Sequence, residues 1–272
     1  MMRRLAAVLF ACVLPLIAGA DWRDRLTPLQ PGGFPLPAPL EARYRFGWGA
    51  ITAAEGSFDF SRPQRGQLQL KASTRTIGVV RGMWRMDARH TAWSDAATLR
   101  PIALEQTESY RDETLKTEAK FSPEGVTRKL ERVPVEGAPA KEKRFKCPGL
   151  FDLHTALLFV RSQPLRTDDV YRIVVYPSKA PYLATVRVAG TERIKVAGQE
   201  YSAIKLELEL QRVTKDLELE AHKKFKQATV WISDDRDRLL LKIKSEVFVG
   251  SVWAELESVK FRDAAQQRTT AR

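Results

Sequence analysis

Phe151-Asp152-Leu153-His154-Thr155-Ala156-Leu157-Leu158-Phe159-Val160-Arg161 is the stretch on which the reading of this chain turns. It is the one segment beyond residue 20 with helical periodicity. Leu153, Ala156, Leu157 and Val160 recur at i, i+3, i+4 and i+7, which lie on one face of a helix. Asp152 stands at the N-cap, where a carboxylate can accept from amides that have no partner in the first turn. Arg161 closes the last turn with the charge that the helix dipole prefers, and Pro164 stops it. This spacing puts Leu157 at the centre of the buried stripe and His154 on its flank.

Nearly everything on either side alternates with period two. Tyr44, Phe46 and Trp48 share one face of a strand, with Arg43, Arg45 and Gly47 on the other. Glycines punctuate Gly47 to Gly56, which reads as a hairpin with a bulge or a close backbone approach. Leu68, Leu70, Ala72 and Thr74 continue the alternation. From Met86 to Leu130 the strands are more polar, with a turn at Ser122-Pro123-Glu124-Gly125. Val133 to Lys146 reads as a mobile connection rich in proline, glycine and charge.

Beyond the helix the pattern is cleaner. Tyr171, Ile173 and Val175 form one row, and Val186 and Val188 another. A turn at Ala197-Gly198-Gln199 leads to Ile204, Leu206, Leu208 and Leu210, set against Lys205, Glu207 and Glu209. This is a half-buried antiparallel strand. Ala228, Val230 and Ile232 repeat the idea. Leu239, Leu241, Ile243, Val247 and Val249 make an inward row, and Val252, Ala254 and Leu256 return after Gly250. The fold class that follows is all-β: one large, curved antiparallel sheet, spiral or barrel-like, with one docked α-helix.

The ends of the chain have other compositions. Arg3-Arg4, the apolar run Leu5 to Ile17 and Ala18-Gly19-Ala20 make residues 1–20 a signal peptide, cleaved before Asp21. The run is too short to span a bilayer, and Phe10 fits poorly ahead of Cys12 in a lipoprotein leader. Residues 21–40, with Pro28, Pro31, Pro35, Pro37 and Pro39, are a tether or a strap along the surface. The β domain then occupies residues 41–262, and residues 263–272 form a frayed polar tail.

Cleavage would remove Arg3 and Arg4 from the 45 basic residues, leaving 43 against 33 acidic ones, a formal +10. A basic exported protein can meet anionic headgroups or acidic polymers. Cys147 would be the only cysteine left, so the domain has no internal disulfide and must rely on its core. Basic residues surround it, yet an inert, half-buried thiol is the plainer expectation.

Three stretches resemble the bacterial domain-of-unknown-function 3108 family of exported proteins. The first runs from Asp152-Leu153 through Arg161 to Pro164-Leu165. The second is Gly190-Thr191-Glu192-Arg193-Ile194-Lys195-Val196, with Gly198 and Tyr201. The third is Val230-Trp231-Ile232-Ser233-Asp234-Asp235-Arg236 through Leu241, with Gly250-Ser251-Val252 beyond. Gly47 to Gly56 is similar to that family's opening hairpin. The departure is Leu240, where similar sequences often carry proline. The resemblance implies a periplasmic, envelope location and a β fold of spiral or barrel type, and it brings no catalytic residues.

No motif supports an enzyme. Asp234, Asp235 and Asp237 alternate with Arg236 and Arg238, which reads as a charged turn between strands rather than a calcium loop. His90, His154 and His222 lack metal-ligand spacing, so no metal and no cofactor is expected. There is no Gly-x-Ser-x-Gly and no phosphate-binding glycine loop. The basic clusters at Arg128 to Arg132, Lys141 to Lys146 and Lys223 to Lys226 are not interleaved with aromatics, which speaks against nucleic acid. Trp48, Trp84, Trp93, Trp231 and Trp253 serve core and rim packing, or the walls of an apolar cavity.

One segment stands apart. Ile77-Gly78-Val79-Val80-Arg81-Gly82-Met83-Trp84 is too apolar for a loop facing water. It reads either as the lip of a cavity or as a short helical turn plugging one end of a barrel. With Val79, Val80 and Trp84 on the apolar side and Arg81 and Arg85 beside them, a lip would suit an amphiphile with an anionic head. Two functions follow. One is a non-catalytic periplasmic protein that shelters an acyl chain and is at most peripheral to a membrane. The other is a structural envelope protein with a packed interior that engages a protein or a cell-wall polymer.

Overall fold

The computed structural model describes residues 21–133, 140–222, 225–247 and 250–262. The leader of residues 1–20 with Cys12, the polar tail 263–272, Lys223, Lys224 and Val249 lie outside the described residues.

The strands are β1 (Leu40–Trp48), β2 (Ile51–Ser61), β3 (Gln67–Thr76), β4 (Met86–Asp95), β5 (Pro101–Tyr110), β6 (Thr114–Ser122), β7 (Gly125–Val133) and β8 (Lys141–Lys146) in the first half. The second half holds β9 (Leu150–Phe151), β10 (Val170–Val175), β11 (Tyr182–Val196), β12 (Gln199–Val213), β13 (Leu219–Ala221), β14 (Phe225–Ser233), β15 (Leu240–Val247) and β16 (Ser251–Phe261). They form one sheet in the order β8-β7-β6-β5-β4-β3-β2-β1-β16-β15-β14-β12-β11-β10-β9, with β13 paired to β12 off that path. The sheet is not closed: β8 and β9 are its two edges. The ladders are antiparallel, except that β9 runs parallel to β10. The fold is therefore the curved, barrel-like antiparallel sheet that the period-two alternation predicts.

Register explains the faces. Leu40, Ala42, Tyr44 and Phe46 of β1 stand opposite Phe60, Phe58, Gly56 and Ala54 of β2, so apolar residues of both strands share one side. Glu41, Arg43 and Arg45 face Asp59, Ser57 and Glu55 on the other. A β-bulge between Phe46 and Gly47 shifts this register, as the glycine-punctuated sequence suggests. At Gly47 a Cβ would lie 2.1 Å from a ring carbon of Trp253, so only glycine lets the indole cross the strand.

Charge disguised β8 in the sequence. Lys141 to Lys146 pair with β7, where a mobile connection was expected; residues 134–139 lie outside the described residues. An edge strand needs no hydrophobic alternation, and lysines protect such an edge from pairing with other chains.

Among the described residues three apolar clusters fill the interior. Phe151, Ala156, Phe159, Val160, Ile173, Val186, Leu206 and Ile232 form the one beneath the predicted helix, α2 (Leu153–Ser162). Leu40, Tyr44, Leu68, Leu99, Leu241 and Leu256 form a second, which Val196 and Ala203 from the β11–β12 hairpin complete. Leu104, Ala119, Val126, Cys147, Leu150, Val174 and Tyr176 form the third, joining β5–β7 to β9 and β10. Arg128 reinforces that join by donating to the Ser178 carbonyl at 2.9 Å.

Helix α2 starts as expected. Asp152 accepts from the amides of His154 (2.7 Å) and Thr155 (2.9 Å), while the Asp152 amide donates to Thr155 Oγ1 at 3.0 Å. This is a reciprocal capping box. The buried face differs from the expectation. Leu153 is 57% exposed and Leu157 only half-buried, whereas Phe159 is fully buried. The helix lies between two clusters: Ala156, Phe159 and Val160 enter the first and Leu158 packs on the second, which rotates the buried stripe away from Leu153.

The segment at residues 21–39 runs along the surface. Trp22 Nε1 donates to the Leu217 carbonyl, Thr27 exchanges bonds with Arg172, and the Phe34 amide donates to the Ser162 carbonyl. A Cβ on Gly32 would meet the Ser162 carbonyl oxygen at 2.1 Å, so the strap lies directly on the end of α2.

Candidate functional site

The Ile77–Trp84 segment contains a second helix, α1 (Gly78–Met83), one turn and a half long. Gly78 enters it at φ +54°, in the left-handed region that a side chain disfavours. The Ile77 amide donates to the Ala53 carbonyl, fixing the helix over the start of β2. Arg81 reaches the Asp87 carboxylate with both terminal nitrogens, at 3.1 and 2.9 Å, and the Thr76 carbonyl at 3.2 Å. From the β5–β6 turn, Arg111 donates to the Gly82 carbonyl at 2.7 Å. The helix is thus tied to β2, β3, β4 and the β5–β6 turn.

Beneath it lies a pocket of about 560 Å³. Val80, Met83 and Trp84 of the α1 segment form one wall. Phe46, Ile51 and Ala54 of β1 and β2 form the floor, and Ile243, Val252 and Ala254 of β15 and β16 the far side. Its two hydroxyls are already engaged. Thr76 Oγ1 accepts from the Met86 amide at 3.0 Å, and Ser245 Oγ donates to the Gln227 carbonyl at 3.2 Å. Neither hydroxyl of the lining is thereby left to demand a polar ligand. Pockets of 300–1,000 Å³ with apolar walls are typical of small-molecule sites.

The segment is a short helical turn, as one alternative has it, but none of the helix's residues is buried, so it borders a pocket and does not plug the end of the sheet. The five residues singled out from sequence are not equivalent. Val80 and Trp84 line the pocket, and Trp84 stacks on Tyr110 with ring centres 6.3 Å apart. Val79 points away and is 73% exposed. Arg81 is committed to Asp87, a pairing that also holds the Asp87 carboxyl below its ordinary range. Arg85 lies 3.7 Å from the same carboxylate and is exposed at the rim. Ile243 and Val252 escape a reading of the sequence because they join Trp84 only through the β1–β16 ladder, whose strands are more than 200 residues apart.

The other constellations are structural. Asp235 accepts from Ser233 Oγ and from the amides of Asp237 and Arg238, the geometry of a charged turn. His90 Nε2 lies 3.8 Å from Glu108, and burial lowers the pKa of both His90 and His154. Among the described residues no group of three or more His, Cys, Asp or Glu side chains is placed to hold a metal, and no helix is long and apolar enough to cross a membrane. Cys147 is more deeply buried than the sequence suggests, and burial raises its thiol pKa.

An open, barrel-like β-sheet with an apolar pocket at one end is the class of protein these features define. The chain belongs to the family described as "Protein of unknown function (DUF3108)", whose model matches residues 43–257. Among solved structures it is similar to a beta-barrel-like protein of the domain of unknown function DUF1849 from Brucella abortus. The TM-score is 0.57 at 11% identity, over 85% of this chain and 100% of that one. It also matches a protein with a YmcC-like fold from Bacteroides fragilis, with a TM-score of 0.32 at 8% identity over 85% of this chain and 99% of that one. At such identity the Brucella likeness concerns the fold alone. No curated protein matches the chain.

Proposed function

We propose that this is an exported, non-catalytic binding protein that takes the acyl chain of an amphiphile into the pocket under α1. One observation carries the reading: about 560 Å³ of space whose lining is apolar and whose two hydroxyls are already bonded. Each methylene buried there contributes about 0.8 kcal/mol. Arg85, beside Trp84, is exposed and lies 3.7 Å from the Asp87 carboxylate that Arg81 grips at 2.9 Å, so it is the cation offered here to an anionic head. The packed apolar clusters of the interior support the alternative of a structural envelope protein if the pocket takes up nothing.

Uptake of a fluorescent fatty acid tests the reading. The wild type binds it, and Trp84→Ala and Val80→Asp each weaken binding at least about tenfold, the equivalent of 1.4 kcal/mol. A wild type that takes up none, or variants that bind as well as wild type, would overturn it.

A further inference from the structure

We infer that the pocket end of the protein docks onto the surface of an anionic lipid bilayer, with the rim around the mouth entering the interface. The evidence is where large apolar side chains face water. Trp48 and Ile51 flank the β1–β2 turn, Val79, Met83 and Trp84 come from the α1 segment, and Val252 is the second residue of β16; all six are exposed. Three segments far apart in sequence thus deliver their exposed apolar groups to one end. Val79 and Met83 are 73% and 84% exposed, although they sit in a turn that is hydrogen-bonded to its neighbours through Arg81 and Arg111. A fixed apolar rim of this kind marks an interaction surface.

Its chemistry fits lipid. Tryptophan is favoured at membrane–water interfaces, where an apolar body and a polar N–H are both accommodated. Cations stand around the rim: Arg85 is exposed, Arg111 lies on the β5–β6 turn, and Lys244 stands opposite Trp253. The one acid facing α1 from β4, Asp87, is neutralised by Arg81. Without Arg3 and Arg4 of the leader the chain has 43 basic against 33 acidic residues, a formal +10, which draws it toward an anionic surface over a Debye length. Docked in this way, the mouth would open directly onto the acyl region, so an amphiphile could pass without crossing water. This deepens the binding reading above, and the two can fail separately.

The test uses the exported chain, purified without its leader, and vesicles of phosphatidylglycerol with phosphatidylethanolamine, with zwitterionic, net-neutral phosphatidylcholine vesicles as the control. Val79→Asp combined with Ala50→Asp places charge on the rim at two exposed positions that do not line the pocket. The wild type is expected to co-sediment with the anionic vesicles, less so at high salt, and the double variant to lose at least tenfold in partitioning. Uptake of soluble fluorescent fatty acid, measured without vesicles, is expected to be the same in both. Wild type that stays in the supernatant, or a double variant that sediments equally, overturns the docking while leaving the pocket reading to its own assay. Concentration-dependent self-association of the wild type that the double variant lacks would also overturn it, by assigning the rim to a second copy of the chain.

Discussion

The guanidinium of Arg238 lies 3.4 Å from the centre of the Phe34 ring. The same group donates to the carbonyls of Arg161, Gln163 (2.6 Å) and Pro164 (3.2 Å). One side chain from the β14–β15 turn therefore satisfies the open end of α2 and presses the surface strap onto it. Burial lowers its pKa, yet an arginine stays charged under any condition the fold survives.

Arg238→Ala should be among the costlier substitutions. It strands buried carbonyls that now accept charge-assisted bonds, a loss of about 3 kcal/mol or more. Arg238→Lys should restore little of this, because an ammonium cannot reproduce the planar fork. Denaturant titration reads both, and a loss below about half a kcal/mol for alanine would show that the clamp is dispensable. Limited proteolysis should cut the strap faster in the alanine variant.

The helix offers a comparison between neighbours. Phe159→Ala removes a fully buried ring that packs on Phe151 with centres 4.9 Å apart, and should cost about 3–5 kcal/mol. Leu157→Ala removes a half-buried side chain and should cost about 1–2 kcal/mol. Unfolding midpoints at equal m-values would check the order, and the reverse order would mean that the helix is rotated.

How far the sequence reaches is clear from these residues. Alternation at Ile204, Leu206 and Leu208 locates a strand and its faces, and the cap at Asp152 locates a helix, because both signals are local. The helix face was not fully legible: leucine spacing pointed to Leu153, but contact with two clusters selects Phe159. The pocket was half legible. Its lip is anomalous within eight consecutive residues, whereas its far wall depends on a register between strands at opposite ends of the chain. Strand β8 was hidden because an edge strand carries no apolar period.

Acid should weaken the fold before its carboxylates titrate. Burial holds His90 and His154 below the ordinary value of 6.5, with Glu108 and Asp152 opposing that shift. Once unfolded, each imidazole binds its proton near pH 6.5, so unfolding takes up protons below that pH. The stability from keeping these rings neutral is complete above about pH 6.5 and is lost as pH falls toward the lower folded-state values. Urea titrations from pH 7 to 5 should show this decline, and His90→Gln with His154→Gln should flatten it. An unchanged slope in the double variant would assign the decline to other groups.

Cys147 should be a slow thiol. It is 3% exposed, and burial raises its pKa, so little thiolate is available at neutral pH. Ellman's reagent should modify it at least a hundredfold faster in denaturant than in buffer. Rapid labelling of the folded protein would mean that the join between β7 and β10 opens readily.

The strand order has a kinetic meaning. With one exception, each antiparallel ladder joins strands that are next to each other or one apart along the chain; β1 with β16 is the exception, pairing Leu40 with Phe261 in the middle of the sheet. Residues 40–146 and 150–261 can therefore each zip up as a local meander, at the modest entropic cost of short loops. The long-range ladder between them must wait for a closure spanning some two hundred residues, the kind of contact that slows folding. The two meanders are natural foldons, and the nascent chain exposes the free edge of β1 from the moment it is made until β16 arrives to cover it. The pocket is built across this last seam, so a chain that has not finished folding has no pocket at all.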